Sequence, residues 1–199
     1  MKEIVFATSN NGKIASLKGH IAAHGLDISI VQQPLDLIEP QANTAAEVAA
    51  VKARQAYEIL KKPVLVDDSS FHIVSLGGFP GPYIKYMLET VKIEGILELM
   101  EGKIDRRAYF ASSLVFVDDA GEIHAFDGQD PVGEIVTEID TVDHERAWSD
   151  LWKIFSPPGF DGKTYSQFTD DDFAVHRVEK DTGSAYEAFA KWLEEGMAA

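Results

Sequence analysis

Residues 2–13 read Lys2-Glu3-Ile4-Val5-Phe6-Ala7-Thr8-Ser9-Asn10-Asn11-Gly12-Lys13. The apolar run through residue 8 is typical of a buried strand, and residues 9–12 are turn-forming. Ile14, Leu17 and Ile21 then recur at the spacing of one helical face. A strand that leads through a tight turn into a helix is the first step of an alternating α/β order, so this stretch predicts an α/β fold.

The next segments continue this alternation. We predict a short second strand at residues 28–31 and a long, alanine-rich helix at 44–61. A third strand at 63–67 ends in carboxylates. The order β-α-β-α-β favours a mixed sheet with helices packed on it, rather than a helical bundle or a β-sandwich.

The rest of the chain is predicted to be more antiparallel and to end in a helix. Pro82 suits the first position of a helix that runs towards Val91. The later elements are a hairpin with a turn at 118–121, a strand and a closing helix, at residues 108–117 and 122–126, 132–139, and 183–195. Because no repeat or linker interrupts them, residues 1–199 are expected to form a single domain.

Composition limits the possible functions. The chain has 199 residues, with 18 Lys+Arg against 33 Asp+Glu and a formal net charge of −15. A field of this sign repels nucleic acid, although a small polyanion can bind through divalent metal and a few lysines. The absence of cysteine excludes disulfides, thiolate zinc sites and cysteine nucleophiles. No apolar run reaches the roughly 18 residues of a membrane span, and no signal peptide is evident, so a soluble cytoplasmic protein is expected.

The turn at residues 9–13 combines hydroxyl, amide and ammonium groups at the start of a helix, a place that favours phosphate. It is not a P-loop, because Ala7 and Ile14 stand where that motif needs Gly and Ser/Thr. Two interpretations are open: a phosphate contact, or an asparagine N-cap followed by a solvated Lys13.

Lys52 falls within the apolar face of the predicted helix at 44–61, near Val48 and Ile59. An unpaired ammonium there is costly, so Lys52 must either extend to solvent or meet an anion. The small alanines around it leave room for an anion.

Asp67 and Asp68 directly follow the predicted third strand. Ligand sites in α/β sheets cluster beyond the carboxyl ends of strands, and hard oxygen ligands suit magnesium that bridges to phosphate. Because side chains alternate along an extended chain, the two carboxylates should point in different directions. A solvated turn with an aspartate cap is the alternative. The acidic run at residues 170–172 is expected to be a polar surface loop.

The most distinctive passage is Leu76-Gly77-Gly78-Phe79-Pro80-Gly81-Pro82-Tyr83-Ile84-Lys85-Tyr86. Lys85 falls in the first turn of a predicted helix, where a cation opposes the helix dipole and indicates a local anion. This passage resembles the inosine triphosphate pyrophosphatase (Ham1-like) family. The other matching pieces, in family order, are Ser9-Asn10-x-x-Lys13, Glu39, Glu47 with Lys52-Ala53, and Val66-Asp67-Asp68-Ser69.

The resemblance implies a two-lobed α/β fold around a long mixed sheet, usually in a homodimer. It also implies magnesium-dependent hydrolysis of a nucleoside triphosphate to the monophosphate and pyrophosphate. Carried over by position, Glu39 and Asp68 would bind metal or activate water, and Lys52 would reach the triphosphate. The other substrate-binding candidates on this side are Ser9, Asn10, Lys13, Ser69 and Lys85.

The match is weaker where the family binds the base. Its Phe-Gly-Trp-Asp-Pro stretch corresponds to residues 146–155 only with an insertion. Trp148 or Trp152 could stack on a base and Asp150 could accept a hydrogen bond from it. The alternative is that these tryptophans fill the core.

The family's late Ser-His-Arg motif aligns in two ways. One keeps a His-Arg pair at residues 176–177. The other, which we favour, keeps Lys180 and Ser184 as base-side contacts and places Ala-Tyr at 185–186, where the family reads the purine keto group. Ser184 and Glu187 also form a capping box, which explains the serine without a ligand.

These observations favour a magnesium-dependent pyrophosphatase of (d)NTPs, acting on deaminated purine triphosphates such as ITP, XTP and dITP. The alternatives are a nucleotide-binding module without turnover, a pyrophosphatase of different base specificity, and hydrolysis of another phosphorylated metabolite.

Overall fold

We analysed a computed structural model, which describes residues 3–180 and 183–198, with side chains outside the description at 177–180 and 197–198. The strands are β1 Glu3–Phe6, β2 Ser29–Gln32, β3 Val64–Ile73, β4 Pro80–Gly81, β5 Arg107–Val117, β6 Ile123–Gln129, β7 Gly133–Ile135 and β8 Phe155–Ser156. The helices are α1 Asn11–Ala23, α2 Ala45–Leu60, α3 Ile84–Thr90, α4 Lys92–Leu99, α5 Asp170–Lys180 and α6 Ala185–Ala198. Short 3₁₀ turns occupy Val74–Leu76, Asp150–Lys153 and Tyr165–Gln167.

The strands form one mixed, eight-stranded sheet in the order β2-β1-β3-β5-β7-β8, with β4 on β3 and β6 on β5. Strand β1 is parallel to β2 and β3, whereas β7 is antiparallel to β5 and β8. The predicted mixed α/β sheet, with parallel strands early in the chain and antiparallel strands later, is therefore confirmed.

The chain divides into two compact units. The first comprises Met1–Ser69, Ser112–Gly128 and Gly183–Ala199, and the second comprises Ser70–Ala111 and Gln129–Thr182. That residues 1–199 act as a single domain remains a prediction.

The first unit buries both faces of its strands. Ile4 and Phe6 pack in one apolar cluster with residues of α1 and α6, and the intervening Val5 packs in another with the alanines of α2. Because neighbouring side chains on a strand point to opposite faces, α1 and α6 cover one face and α2 covers the other. The buried alanines Ala49 and Ala53 let α2 lie close to its face.

The second unit has its own core, centred on Phe71, Phe110 and Phe155, whose rings contact one another. Trp152 of the 3₁₀ turn Asp150–Lys153 packs against Tyr165 in the same cluster. Trp152 is therefore a core residue, which is the structural alternative that the sequence left open.

Three predicted elements differ from the structure. Strand β3 does not end at Asp67 but continues to Ile73, because the Ser-Ser-Phe-His-Ile sequence that follows the carboxylates is also compatible with an extended chain. The strand expected at 132–139 is only Gly133–Ile135. The acidic residues 170–172 begin helix α5 rather than a loop, although Asp170 and Asp171 are exposed as expected.

Within the described residues, none of the helices has the length and apolarity needed to cross a membrane.

Helix α1 is tied to α6 by His24, which follows its last residue. The His24 ring nitrogens lie 2.7 Å from Glu194 Oε2 and 2.9 Å from Glu187 Oε1. Hydrogen bonds to Glu194 and Glu187 raise the pKa of His24 above its ordinary value of 6.5. A raised folded-state pKa stabilises the protein below the unfolded value, and this contribution is lost as pH rises through the folded value.

We therefore expect His24→Gln to lower the thermal midpoint more at pH 5.5 than at pH 9. The interactions of His24 with Glu187 and Glu194 contribute up to about 1 kcal/mol to the free energy of unfolding, which corresponds to a few degrees in the thermal midpoint of a chain of this size. Thermal unfolding followed by circular dichroism at both pH values measures the difference. An equal decrease at both pH values would contradict the role of the protonated ring.

Candidate active site

The loop after β1 delivers the chain into α1 through an asparagine cap. Asn10 Oδ1 accepts hydrogen bonds from the backbone N–H of Gly12 at 2.8 Å and of Lys13 at 3.2 Å. This satisfies two of the unpaired donors at the helix start, so the capping interpretation of Asn10 is confirmed. Ser9 lies beside the cap and is exposed.

Lys13 is not a solvated lysine. Its Nζ lies 3.1 Å from Oδ1 of Asp67, a side chain with only 1% of its surface exposed. Ser69 Oγ donates to the same oxygen at 3.2 Å, and Tyr186 OH donates to Oδ2. Asp67 thus joins the start of α1, strand β3 and helix α6.

Lys52 meets anions, and the protein itself supplies them. Its Nζ donates to Asp68 Oδ1 at 2.9 Å and to Glu39 Oε1 at 3.0 Å. The position of Lys52 within the apolar arc is therefore explained by a charged partner rather than by extension into solvent.

Strand β3 separates the two aspartates as its pleat requires. Asp67 points towards α1 and α6, and Asp68 points towards α2, which agrees with the prediction that they face different directions. The carboxylates lie inside β3, so the expectation that they follow its end is wrong. They come after the last register pair between β1 and β3, Phe6 with Leu65, and so lie beyond the carboxyl end of β1.

Lys13, Lys52, Glu39 and Asp67 line an open pocket of about 240 Å³ in the first unit, and Asp68, which is not among the lining residues, bonds to Lys52. One part of the lining is charged and polar, and the other is apolar. The lining residues are Ala7, Thr8, Ser9, Asn10, Lys13, Pro34, Leu35, Leu37, Glu39, Lys52 and Asp67.

The two ammonium groups pair with three carboxylates, those of the pocket-lining Glu39 and Asp67 and that of Asp68, which bonds to Lys52. The surplus is one negative charge, so a polyanion needs a further cation to bind here. Oxygens of Glu39 and Asp68 converge on one nitrogen, that of Lys52, which shows that these carboxylates can face a single cation. Hard oxygen donors in this arrangement fit a divalent metal such as magnesium.

Burial controls the titration of the central pair. Burial raises the pKa of Asp68, and the neighbouring Lys52 charge offsets this effect only in part. Burial alone would lower the pKa of Lys52, but the charge and hydrogen bond of Asp68 and the hydrogen bond of Glu39 outweigh it, so the pKa of Lys52 is raised. Lys52 therefore remains an ammonium at neutral pH.

Three other candidates, Lys85, Trp148 and Asp150, belong to the second unit. Lys85 is exposed in the first turn of α3, and Asp150 is exposed at the start of a 3₁₀ turn. Trp148 is 49% exposed and meets the edge of Phe110. Their roles towards a base remain predictions.

The late motif is only partly described. The side chain of Lys180 lies outside the described residues, as does that of Arg177. His176 is buried in the second unit, where its Nε2 lies 2.8 Å from Tyr165 OH. Ser184 Oγ accepts from Glu187 N at 3.1 Å, so this hydroxyl caps α6 as the sequence predicted.

Tyr186 is the functional candidate that the sequence analysis missed. It appeared only as part of an Ala-Tyr pair replacing a family His-Arg, whereas its hydroxyl contacts Asp67 in the structure. That alignment was the available signal, but the partner depends on where α6 packs.

A second group of possible metal ligands lies in the β5–β6 turn. Ligand atoms of Asp118, Glu122 and His124 all lie within 4.8 Å of one another. Asp118 Oδ1 accepts from the backbone N–H of Ala120 and Glu122, and Oδ2 lies 2.8 Å from His124 Nε2. These contacts hold the turn closed.

Comparison with known proteins assigns the chain to a family. The model of the Ham1 family matches residues 4–182. The chain belongs to the Ham1 family. A Ham1 relative from Methanopyrus kandleri, named dITP/XTP pyrophosphatase, is 34% identical over 98% of each chain. The protein of the same name from Thermococcus kodakarensis is 32% identical over 98% of each.

Two solved structures of Ham1 proteins share the fold. The protein from Coxiella burnetii has a TM-score of 0.78 at 25% identity, over 98% of this chain and 100% of that one. The Staphylococcus aureus Ham1 protein has a TM-score of 0.75 at 26% identity, with the same coverage. The Ham1-type α/β architecture around a mixed sheet, inferred from the sequence, is confirmed.

Proposed function

We propose that this protein is a magnesium-dependent nucleoside triphosphate pyrophosphatase that converts deaminated purine (d)NTPs to the monophosphate and pyrophosphate. Its relatives at 32–34% identity over 98% of the chain carry the name dITP/XTP pyrophosphatase. The observation that carries the proposal is that Lys52, which lines the pocket together with Lys13 and Glu39, donates hydrogen bonds to both Asp68 and Glu39.

The pocket residues have complementary tasks. Lys13 and Lys52 bind oxygens of the triphosphate and stabilise the charge that develops on the departing pyrophosphate. Ser9 donates a hydrogen bond to the same group, whereas the single hydroxyl proton of Ser69 is donated to Asp67. Both ammoniums lie on helices and are positioned by carboxylates, so their positions are set before a phosphate binds.

Glu39 and Asp68 would hold the metal. When bound, magnesium would polarise the phosphate and neutralise part of its charge. Asp68 also orients water for attack on the α-phosphorus and accepts its proton. The new bond joins the water oxygen to that phosphorus. The bond to the bridging oxygen breaks, and pyrophosphate leaves with the electron pair.

We propose that Trp148 stacks on the base and that Asp150 and Lys180 make polar contacts with it. A cytoplasmic homodimer without nucleic acid or membrane partners completes the proposal. It is supported by the charge of −15 for the absence of nucleic acid and by the family resemblance for the dimer.

A turnover screen tests this function. Purified protein with magnesium is incubated with the common NTPs and dNTPs and with ITP, XTP and dITP, and pyrophosphate release is measured. We expect release from the deaminated triphosphates at least about tenfold more efficiently than from ATP, and loss of release when EDTA removes the metal. Tight nucleotide binding without turnover of any substrate would instead support a binding module.

A further inference from the structure

We propose that Tyr186 is a positioning residue that fixes Asp67 and, through it, holds Lys13 in place to bind the triphosphate. This inference rests on the proposed function of the pocket. It assigns to Tyr186 a role on the phosphate side of the substrate, not the base side.

The Asp67 carboxylate accepts hydrogen bonds from three donors. Lys13 Nζ at 3.1 Å and Ser69 Oγ at 3.2 Å share Oδ1, while Tyr186 OH donates to Oδ2. With 1% of its surface exposed, the carboxylate has little access to water. Three donors divided over two oxygens fix its orientation.

Tyr186 is also packed against helix α1. Tyr186 lies in the first turn of α6 and is only 8% exposed. Its ring stacks on His20 of α1, with centroids 5.8 Å apart and planes at 27°. Helix α1 also carries Lys13, so the tyrosine packs on the helix whose lysine it controls through Asp67.

The Tyr186 hydroxyl also controls how strongly Asp67 binds Lys13. The tyrosine hydroxyl draws part of the negative charge of Asp67 towards Oδ2, away from the oxygen that faces Lys13. Without the hydroxyl, Oδ2 would be buried without this donor, and the carboxylate would rotate or bind the ammonium more tightly. Either change makes Lys13 less available to a phosphate.

The role of Tyr186 determines whether it affects base specificity. In the alignment that we favour, Tyr186 takes the place of a residue that reads the purine in the family, and a base-reading residue would discriminate among nucleotides. A tyrosine that acts through Asp67 and Lys13 affects every triphosphate equally, including one that has no base.

Tyr186→Phe tests this role. We measure the affinity for magnesium tripolyphosphate by calorimetry, and KM and kcat for ITP, GTP and ATP. We expect the tripolyphosphate Kd to rise roughly tenfold, as for a lost hydrogen bond to a charged group. KM should rise by a similar factor for each nucleotide, while kcat changes less than about threefold.

The matched control is Tyr165→Phe, which removes a buried hydroxyl bonded to His176 in the second unit. It should leave the tripolyphosphate Kd unchanged. A loss in Tyr186→Phe that differs among bases, or unchanged Kd and KM, would overturn the inference. If the wild-type protein hydrolyses no nucleotide, the proposed function fails, while the tripolyphosphate Kd of the variant still decides the role of Tyr186.

Discussion

Asp68→Asn is expected to lower kcat/KM for the best triphosphate by about 10³-fold, because it removes the carboxylate that we propose holds the metal and orients water. The substitution keeps the shape of the side chain and its contact with Lys52, which lies 2.9 Å away. Because the substitution removes the Asp68 charge from the largely buried Lys52 ammonium, which keeps Glu39 at 3.0 Å, the free energy of unfolding should fall modestly. Steady-state pyrophosphate release and thermal unfolding measure the two effects separately.

Asp118→Asn is the control for Asp68→Asn, because it removes an aspartate of the same unit that closes the β5–β6 turn. Its activity should stay within about twofold of the wild type, since surface substitutions away from a site have small effects. Activity of Asp68→Asn within tenfold of the wild type would contradict a catalytic role for this carboxylate.

Lys52→Met is expected to lower kcat/KM by about 10²–10³-fold, the range seen when an enzyme loses one donor to the charge that develops in the transition state. It should also destabilise the protein, because the Asp68 charge would lose the ammonium 2.9 Å away. Lys52→Arg keeps the charge but not the compact shape of the ammonium, so it should restore only part of the activity. Kinetics of the three proteins, together with thermal unfolding, measure these effects.

Lys61→Met serves as the matched control for Lys52→Met. Lys61 follows α2 and forms an exposed pair with Glu58, which contributes little to stability. Its activity and thermal midpoint should be close to those of the wild type. If Lys52→Met were equally active, the ammonium of Lys52 would have no role in binding or charge stabilisation.

The alternating order of the first 67 residues was enough to predict the fold class. Strand and helix periods are local, and turn residues separate them clearly in this part of the chain. Helix α5 was missed because the acidic residues at its start were interpreted as part of a polar loop. Thr169 Oγ1 accepts from Asp172 N at 3.3 Å and Asp172 Oδ2 accepts from Thr169 N at 2.7 Å, so the acidic run is a capping box that complements the helix dipole.

The pocket was predictable where a residue conflicts with its surroundings. Lys52 stood out because an ammonium on an apolar arc requires a partner, and the structure supplies Asp68 and Glu39. The role of Tyr186 could not be predicted, because its contact with Asp67 joins positions 119 residues apart and depends on how α6 packs on β3. Long-range contacts of this kind leave no periodic signal in a sequence.

The most direct test of the central claim is the identity of the products, followed by ³¹P NMR in ¹⁸O-enriched water with ITP and magnesium. The account predicts equimolar inosine monophosphate and pyrophosphate, with the label in the monophosphate, because water attacks the α-phosphorus. Label in pyrophosphate, release of inorganic phosphate with inosine diphosphate, or no products at all would contradict it.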